Sequence, residues 1–323
     1  MDLSVVVLSY ETKDLLLDCV ESIEKALEGP ALRGASEIIV VDNGSRDGSA
    51  EAIRERHPRV EVIALEDNRG FAGGNNVAIE RAGGRYIALV NSDVVVEPDT
   101  FERVLEVFET RKDVGAAGVQ LLHPDGRLQN SIHVFPSLWR EVVPTWLLET
   151  LAPRRFPSKR RPPAEPIEVE SVLGAVFVVR REVVDDVGPL CDDYFFFLEE
   201  TDWCWRMAER GWKVLHLPNV RVVHASGASS KQKDAAATRI EYSRSLDRFL
   251  RAHRGAFEAE MVRVVRVTRH LLALLPLTLA GLFSARHRAR LSSVMRLLRW
   301  HAAGRPAQWG LSGTRPKGFS TGC

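Results

Sequence analysis

The sequence has few cysteines, no apolar run of membrane-spanning length and almost no net charge, and each scarcity narrows what the chain can be. Its four cysteines, Cys19, Cys191, Cys204 and Cys323, lie far apart in 323 residues, with no C-x-x-C pair. Neither a zinc cage nor a disulfide framework is suggested, and a reducing, cytoplasmic setting fits. The start, Met1-Asp2-Leu3-Ser4, lacks the basic region and small-residue cleavage site of a signal peptide and reads as folded protein. There is no internal repeat. A G-x-G-x-x-G turn is also missing after the first strand. Ser9-Tyr10-Glu11 stands where a dinucleotide enzyme needs its pyrophosphate turn, which counts against a dehydrogenase.

What is present is an ordinary globular composition, 45% hydrophobic, long enough for one large domain with an appendage or for two modest domains. The net charge of +1 hides an asymmetry: residues 239–323 hold 16 Lys and Arg against 4 Asp and Glu, and residues 1–238 hold 28 against 39. A basic tail on an acidic body suggests a surface for a polyanion, either nucleic acid or an acidic membrane leaflet.

Short apolar runs at Leu3–Ser9, Ile38–Asp42, Val60–Leu65 and Tyr86–Val90 alternate with amphipathic stretches, the rhythm of a doubly wound α/β sheet. Ligands of such sheets bind beyond the carboxyl ends of the strands. Those ends carry Ser9-Tyr10-Glu11, Asp42-Asn43-Gly44-Ser45, Asp67-Asn68 and Asn91-Ser92-Asp93. Val114–Leu122 and Val169–Arg180 supply further strands of a second half. Between them, the Pro- and Arg-rich stretch Pro153–Pro166 predicts a loop. Beyond His224 the pattern turns helical, over Thr238–His253 and Glu258–Arg290. The expected division is 1–113 and 114–235 as two halves of one domain, with 236–323 as a basic helical region.

Five clusters carry chemistry. Asn91-Ser92-Asp93 reads either as a hydrogen-bonded turn or as a carboxylate site for a hard cation such as Mg²⁺ or Mn²⁺. Asp42 with Asn43 reads as a helix-capping turn or as an acceptor for a nucleotide base or ribose. Asn68-Arg69-Gly70-Phe71-Ala72-Gly73-Gly74-Asn75 combines a cation, glycines and amides suited to close approach by a phosphorylated ligand. In Tyr194–Arg206 an aromatic run delivers Glu199, Glu200 and Asp202 onto the first turn of a helix, where burial and mutual repulsion would raise a carboxylate toward the range of a general base. Acids at a helix N-terminus also simply suit its dipole. His224, at the end of the apolar run Val220–Val223, is either structural or a metal or phosphate contact.

In this order, the clusters resemble glycosyltransferase family 2, inverting enzymes with the GT-A fold, and in particular its rhamnosyltransferase-like branch. The resemblance covers roughly residues 3–250. It implies a Rossmann-like mixed sheet flanked by helices, with a helical C-terminal appendage. It also implies that Ser9, Tyr10, Glu11 and Asp42 cradle the nucleotide base and that Arg69 and Asn91 lie near ribose and diphosphate, with Asn43, Gly70, Asn75 and Ser92 in the same donor-binding motifs. Asp93 matches the last acid of the family's metal-binding D-x-D, with Asn91 in place of the first, and His224 matches a further ligand of Mg²⁺ or Mn²⁺. Glu200 matches the catalytic base, with Glu199 and Asp202 as rivals.

The implied partners are a dTDP- or UDP-sugar donor, with dTDP-rhamnose as the leading expectation, and a saccharide or polyprenyl-diphosphate-linked acceptor in cell-envelope polysaccharide synthesis. Two other functions fit the same motifs less well, a nucleotide-sugar-binding protein without turnover and a sugar nucleotidyltransferase. The apolar segment Leu271–Phe283 is only 13 residues, short of the ~20 that span a bilayer. Flanked by Arg263, Arg266 and Arg269 before it and Arg286, Arg288 and Arg290 after it, it reads as a peripheral contact with the inner face of an anionic membrane, or as a buried or homo-oligomer contact. Few stacking aromatics accompany these arginines, so nucleic acid is not the expected partner.

Overall fold

The structure, a computed structural model, describes residues 1–153, 164–225 and 234–311. β1 (Leu3–Ser9) directs Val5 and Val7 to one face of a central sheet and Val6 to the other, following the two-residue period of a strand. Both faces are apolar because helices cover both. α1 (Lys13–Leu27) buries Leu16, Val20 and Ile23 against the first face, with α2 (Ser49–Arg56) beside it. α3 (Gly70–Arg81) covers the second face with Ala72, Ala78 and Ile79. β2 (Ser36–Asp42), β3 (Glu61–Ala64) and β4 (Tyr86–Asn91) complete a parallel set in the order β3-β2-β1-β4.

After β4 the sheet becomes mixed. β5 (Val94–Val95), α4 (Thr100–Thr110), β6 (Val114–Leu122), β7 (Ile132–His133), α5 (Leu138–Val142) and α6 (Thr145–Leu151) follow in sequence. Then come β8 (Ile167–Glu168), β9 (Ser171–Val172), β10 (Val176–Arg180), α7 (Arg181–Val187), α8 (Glu199–Glu209) and β11 (Lys213–His224). β10 inserts antiparallel between β4 and β6, β11 lies parallel to β6, and β5 closes the far edge antiparallel to β11. The apolar run Val169–Arg180 is therefore two strands rather than one. They are separated by Leu173-Gly174-Ala175, because β9 leaves the main sheet to pair with β7.

α9 (Ala235–His253) begins on Asp234, whose side chain accepts from the backbone N–H groups of Ala236 and Ala237. Its Leu246, Phe249 and Leu250 share a core with Cys191, Tyr194 and Leu198, just ahead of α8. The expected single helix over Glu258–Arg290 is two helices, α10 (Ala256–Gly281) and α11 (Ala285–Ala302). α10 ends at Gly281, where Leu282 and Phe283 tighten to three-residue backbone bonds, and extended Ser284 starts the next helix. The predicted Pro- and Arg-rich loop falls largely on 154–163, and most of the loop after His224 falls on 226–233; both lie outside the described residues, as does Cys323. Cys19 and Cys204 are buried free thiols, and Cys191 is buried.

Candidate active site

The carboxyl ends of β1, β2 and β4 gather the polar clusters at one end of the sheet. Beyond β4 the chain passes through Asn91-Ser92-Asp93 into β5, and β5 pairs with the last residues of β11, placing Val94 opposite His224. Ala225 donates its backbone N–H to the Asp93 carbonyl at 2.9 Å. This pairing brings Asp93 Oδ1 to 3.2 Å from His224 Nε2.

A third residue determines what that contact is. Gln129 is buried, and its amide nitrogen lies 2.5 Å from the His224 carbonyl, 3.2 Å from the Leu122 carbonyl and 3.0 Å from His123 Nδ1. With its nitrogen turned to these acceptors, Gln129 Oε1 is left to accept from His224 Nδ1 at 2.9 Å. An imidazole that donates from Nδ1 carries a lone pair on Nε2 when neutral. Nε2 faces a carboxylate oxygen, a contact made favourable either by a proton between the two atoms or by a cation that both ligate. The donor set therefore suits a divalent cation, with Gln129 as the outer partner that fixes the ring. Among the described residues no group of three or more His, Cys, Asp or Glu is placed to hold a metal, so further ligands would have to come from substrate or solvent.

Around the ends of β1 and β2 the side chains are tightly cross-linked. Ser9 Oγ lies 3.0 Å from Thr12 Oγ1, which lies 2.7 Å from Ser92 Oγ, tying β1 to the turn after β4. Glu11 has φ 56°, a left-handed conformation, and its backbone N–H donates to Ser45 Oγ at 2.9 Å. Asp42 accepts from the Ser45 backbone N–H at 3.2 Å, and burial raises its carboxyl above the usual range. Tyr10, Arg69 and Asn91 are half-buried in the same region. Asn43 and Asn75 are committed internally. Asn43 receives the Arg69 backbone N–H at 2.8 Å and donates to the Gly70 carbonyl at 3.0 Å, while Asn75 donates to the Phe71 carbonyl at 2.9 Å. Gly70 has φ +78°, and a Cβ there would stand 2.3 Å from the Phe195 carbonyl oxygen. Only glycine allows α3 to start this close to the loop that leads into α8.

That loop delivers the three acids. Phe197 and Leu198 both take left-handed backbone conformations, with φ 72° and 67°, immediately before α8. Each such residue costs on the order of 1–2 kcal/mol. Strain of this kind persists only where the surroundings impose it. It launches α8 so that Glu199 and Glu200 turn into the protein. Both have an enclosed Oε2 with no hydrogen-bond partner. Burial and then the neighbouring Glu200 charge raise Glu199 well above the carboxylate range. Burial likewise raises Glu200 to about 7, against backbone hydrogen bonds from Thr201 and Gly174 that act in the other direction. Asp202 is engaged by three partners: Arg206 Nε at 2.9 Å, His253 Nε2 at 2.7 Å and Tyr194 OH at 3.3 Å.

The two ends of the site are joined through Gly174-Ala175. Asn91 donates its backbone N–H to the Ala175 carbonyl at 2.9 Å, and the Cβ position of Gly174 is 3.8 Å from Glu200 Cγ and 3.3 Å from the Phe71 ring. Sequence reasoning missed Gln129 and His253. Gln129 follows β6 in a polar loop with no motif around it, and His253 sits in a helix whose pattern shows only amphipathicity.

The sequence pattern of glycosyl transferase family 2 matches residues 4–188. The chain is similar to N-acetylglucosaminyl-diphospho-decaprenol L-rhamnosyltransferase of Mycobacterium tuberculosis strain H37Rv, at 27% identity over 275 residues that cover 80% of this chain and 87% of that protein. The O-antigen biosynthesis protein RfbC of Myxococcus xanthus is 24% identical over 242 residues, 71% of this chain but only 18% of that protein. Among solved structures, the mannosyltransferase PcManGT from Pyrobaculum calidifontis, in complex with GDP-Man and Mn²⁺, superposes with a TM-score of 0.55 and 17% identity, covering 94% of this chain and 86% of that one. That likeness shows a shared GT-A fold.

Proposed function

The chain belongs to glycosyl transferase family 2, and from that premise we propose that it transfers a sugar, with inversion, from a nucleotide diphosphate donor to a hydroxyl of a polyprenyl-diphosphate-linked saccharide during cell-envelope polysaccharide synthesis. The observation that carries this reading is the facing pair of Asp93 and His224, linked through Asn91 and Gly174-Ala175 to a half-buried Glu200 held near neutrality. The first suits the leaving diphosphate and the second suits the attacking hydroxyl. L-Rhamnose from dTDP-rhamnose is the proposed sugar, on the strength of the rhamnosyltransferase similarity.

In this reading the base and ribose of the donor rest against Ser9, Tyr10, Glu11 and Asp42, and its diphosphate lies near Arg69, Asn91 and Asp93. Asp93 and His224 would hold a divalent cation, which supplies neutralisation of the charge that builds on the leaving diphosphate. An imidazole donor favours a transition metal such as Mn²⁺ over Mg²⁺, which prefers all-oxygen surroundings. Glu200 takes the proton of the acceptor hydroxyl as its oxygen attacks the anomeric carbon from the face opposite the diphosphate. The bond from that carbon to the diphosphate oxygen then breaks, its electrons leave with the nucleoside diphosphate, and the proton remains on Glu200.

Of the three acids, Glu200 suits this role best. Burial and the neighbouring Glu200 raise Glu199 well above the carboxylate range, and Asp202 is spent on Arg206, Tyr194 and His253. A donor panel tests the reading: dTDP-rhamnose, UDP-sugars and GDP-sugars, each offered with a lipid-linked acceptor and Mn²⁺. Release of nucleoside diphosphate, highest with dTDP-rhamnose, is expected. Release of pyrophosphate, or binding of donor without any turnover, would overturn it.

A further inference from the structure

α10 and the turn that ends it expose Leu271, Leu272, Leu275, Leu279, Leu282 and Phe283, with Leu272 at 72% and Phe283 at 90% of full exposure. The spacing repeats every three or four residues, so these side chains form one continuous stripe rather than a scatter. The opposite side of the same segment is occupied by the protein itself: Leu277 and Gly281 are buried, and α11 packs along this part of α10. A second apolar set comes from a part of the chain that sequence reading left unassigned. α5 and α6 expose Trp139 at 73%, Trp146 at 67%, Val142 and Leu151. α5 is fastened to α10 through Glu141, which pairs with Arg266 at 2.9 Å and Arg269 at 2.8 Å, and through the Leu138 backbone N–H donating to Glu258 at 2.7 Å. α5 and α10, distant in sequence, thus hold Trp139 and the leucines outward on one fastened unit, with Trp146 on α6 directly after α5.

We propose that this unit is a docking face for an anionic lipid leaflet, with α10 lying in the interface and Trp139 and Trp146 entering at headgroup depth. Charge complementarity selects this occupant. Arg286, Arg288 and Arg290 follow the leucine stripe, in a stretch from 261 to 311 that holds no acidic residue. Tryptophan, leucine and arginine in this combination match the chemistry of a headgroup boundary. α10 has the length and apolarity to cross a bilayer. However, its uncharged stretch from Arg269 to its end at Gly281 rises only about 18 Å, short of the ~30 Å hydrocarbon core, and Arg266 and Arg269 are paired to Glu141 of α5. A flat orientation follows. The inference does not depend on the sugar or on which acid is the base.

The test uses the purified full chain and vesicles of phosphatidylcholine with and without phosphatidylglycerol. Flotation with the anionic vesicles is expected, with release by alkaline carbonate and with quenching of tryptophan fluorescence by brominated lipid. The triple substitution Leu272→Asp, Leu275→Asp, Leu279→Asp should weaken partitioning by at least about tenfold, given the burial energy of a leucine side chain. All three positions are exposed, so folding and donor binding should persist. Trp139→Phe with Trp146→Phe should abolish most of the quenching while flotation remains. Three results would overturn the proposal: flotation indifferent to the leucine substitutions, retention in the vesicle pellet after carbonate, or a vesicle-free dimer that the same substitutions dissolve in a protein that does not float.

Discussion

Asp93 Oδ1 lies 3.2 Å from His224 Nε2 because a two-residue strand, β5, brings the turn after β4 alongside the end of β11, and Gln129 holds Nδ1 of the histidine so that Nε2 points at the carboxylate. Removing Gln129 leaves both ligands in place but frees the ring. Gln129→Met should raise the Mn²⁺ concentration needed for half-maximal activity by about 10–100-fold, the usual cost of losing an outer partner of a metal ligand. Metal titration of turnover at saturating donor checks this. An unchanged midpoint would mean that the ring is oriented by something else.

As the proposed base, Glu200 should set the pH dependence. A base must be deprotonated, and burial places its carboxyl at about 7 rather than in the ordinary range. The sign follows directly: kcat/KM should fall as pH drops below about 7, tenfold per unit, and level off above it. Glu200→Gln should lower kcat by about 10²–10⁴ while donor binding, followed calorimetrically with Mn²⁺, stays near normal. A mutant that keeps both its turnover and the acid limb would remove Glu200 as the base.

Asp202 should behave differently from its neighbours. With Arg206, Tyr194 and His253 all directed at it, His253→Ala removes one hydrogen bond to a charged group and should cost about 1.5–3 kcal/mol of stability. Thermal unfolding should register the loss, while turnover of the folded fraction changes little. A large fall in kcat at unchanged Tm would reassign Asp202 to the chemistry.

Gly70 links the donor side of the site to the loop that positions the acids. Gly70→Ala has to accept a left-handed backbone and push the Phe195 carbonyl away from a Cβ that would stand 2.3 Å from it. The backbone term alone is about 1–2 kcal/mol. A lower Tm, together with a raised donor KM and a reduced kcat, is expected. A variant that loses only stability would show that the 195–198 loop tolerates the shift.

The strands and their polar ends were legible because two-residue and helical periodicities are local properties of the chain. Asp42, Asp93 and Glu200 could be located for the same reason, each standing where an apolar run stops. Contacts made by pairing across the sheet were not legible. Nothing near Gln129 announces that it will reach His224, and nothing near His253 announces Asp202. The break between α10 and α11 was also hidden, since the arginine-and-leucine pattern runs through Leu282-Phe283-Ser284 without a proline. The outward tryptophans of α5 and α6 were passed over because two short helices carry too few residues to show a period.

The antiparallel insertion of β10 has one more consequence. Asn91 and Ala175 are hydrogen-bonded across neighbouring strands, so the span from the diphosphate side to Glu200 is measured in strand spacings of about 4.8 Å. A sheet acts here as a ruler. Slippage of β10 by one residue would turn every side chain over and carry Gly174 away from α8. Any change in the distance between the Asn91 turn and α8 would have to come from the loops around this gauge, because the gauge itself has a single setting.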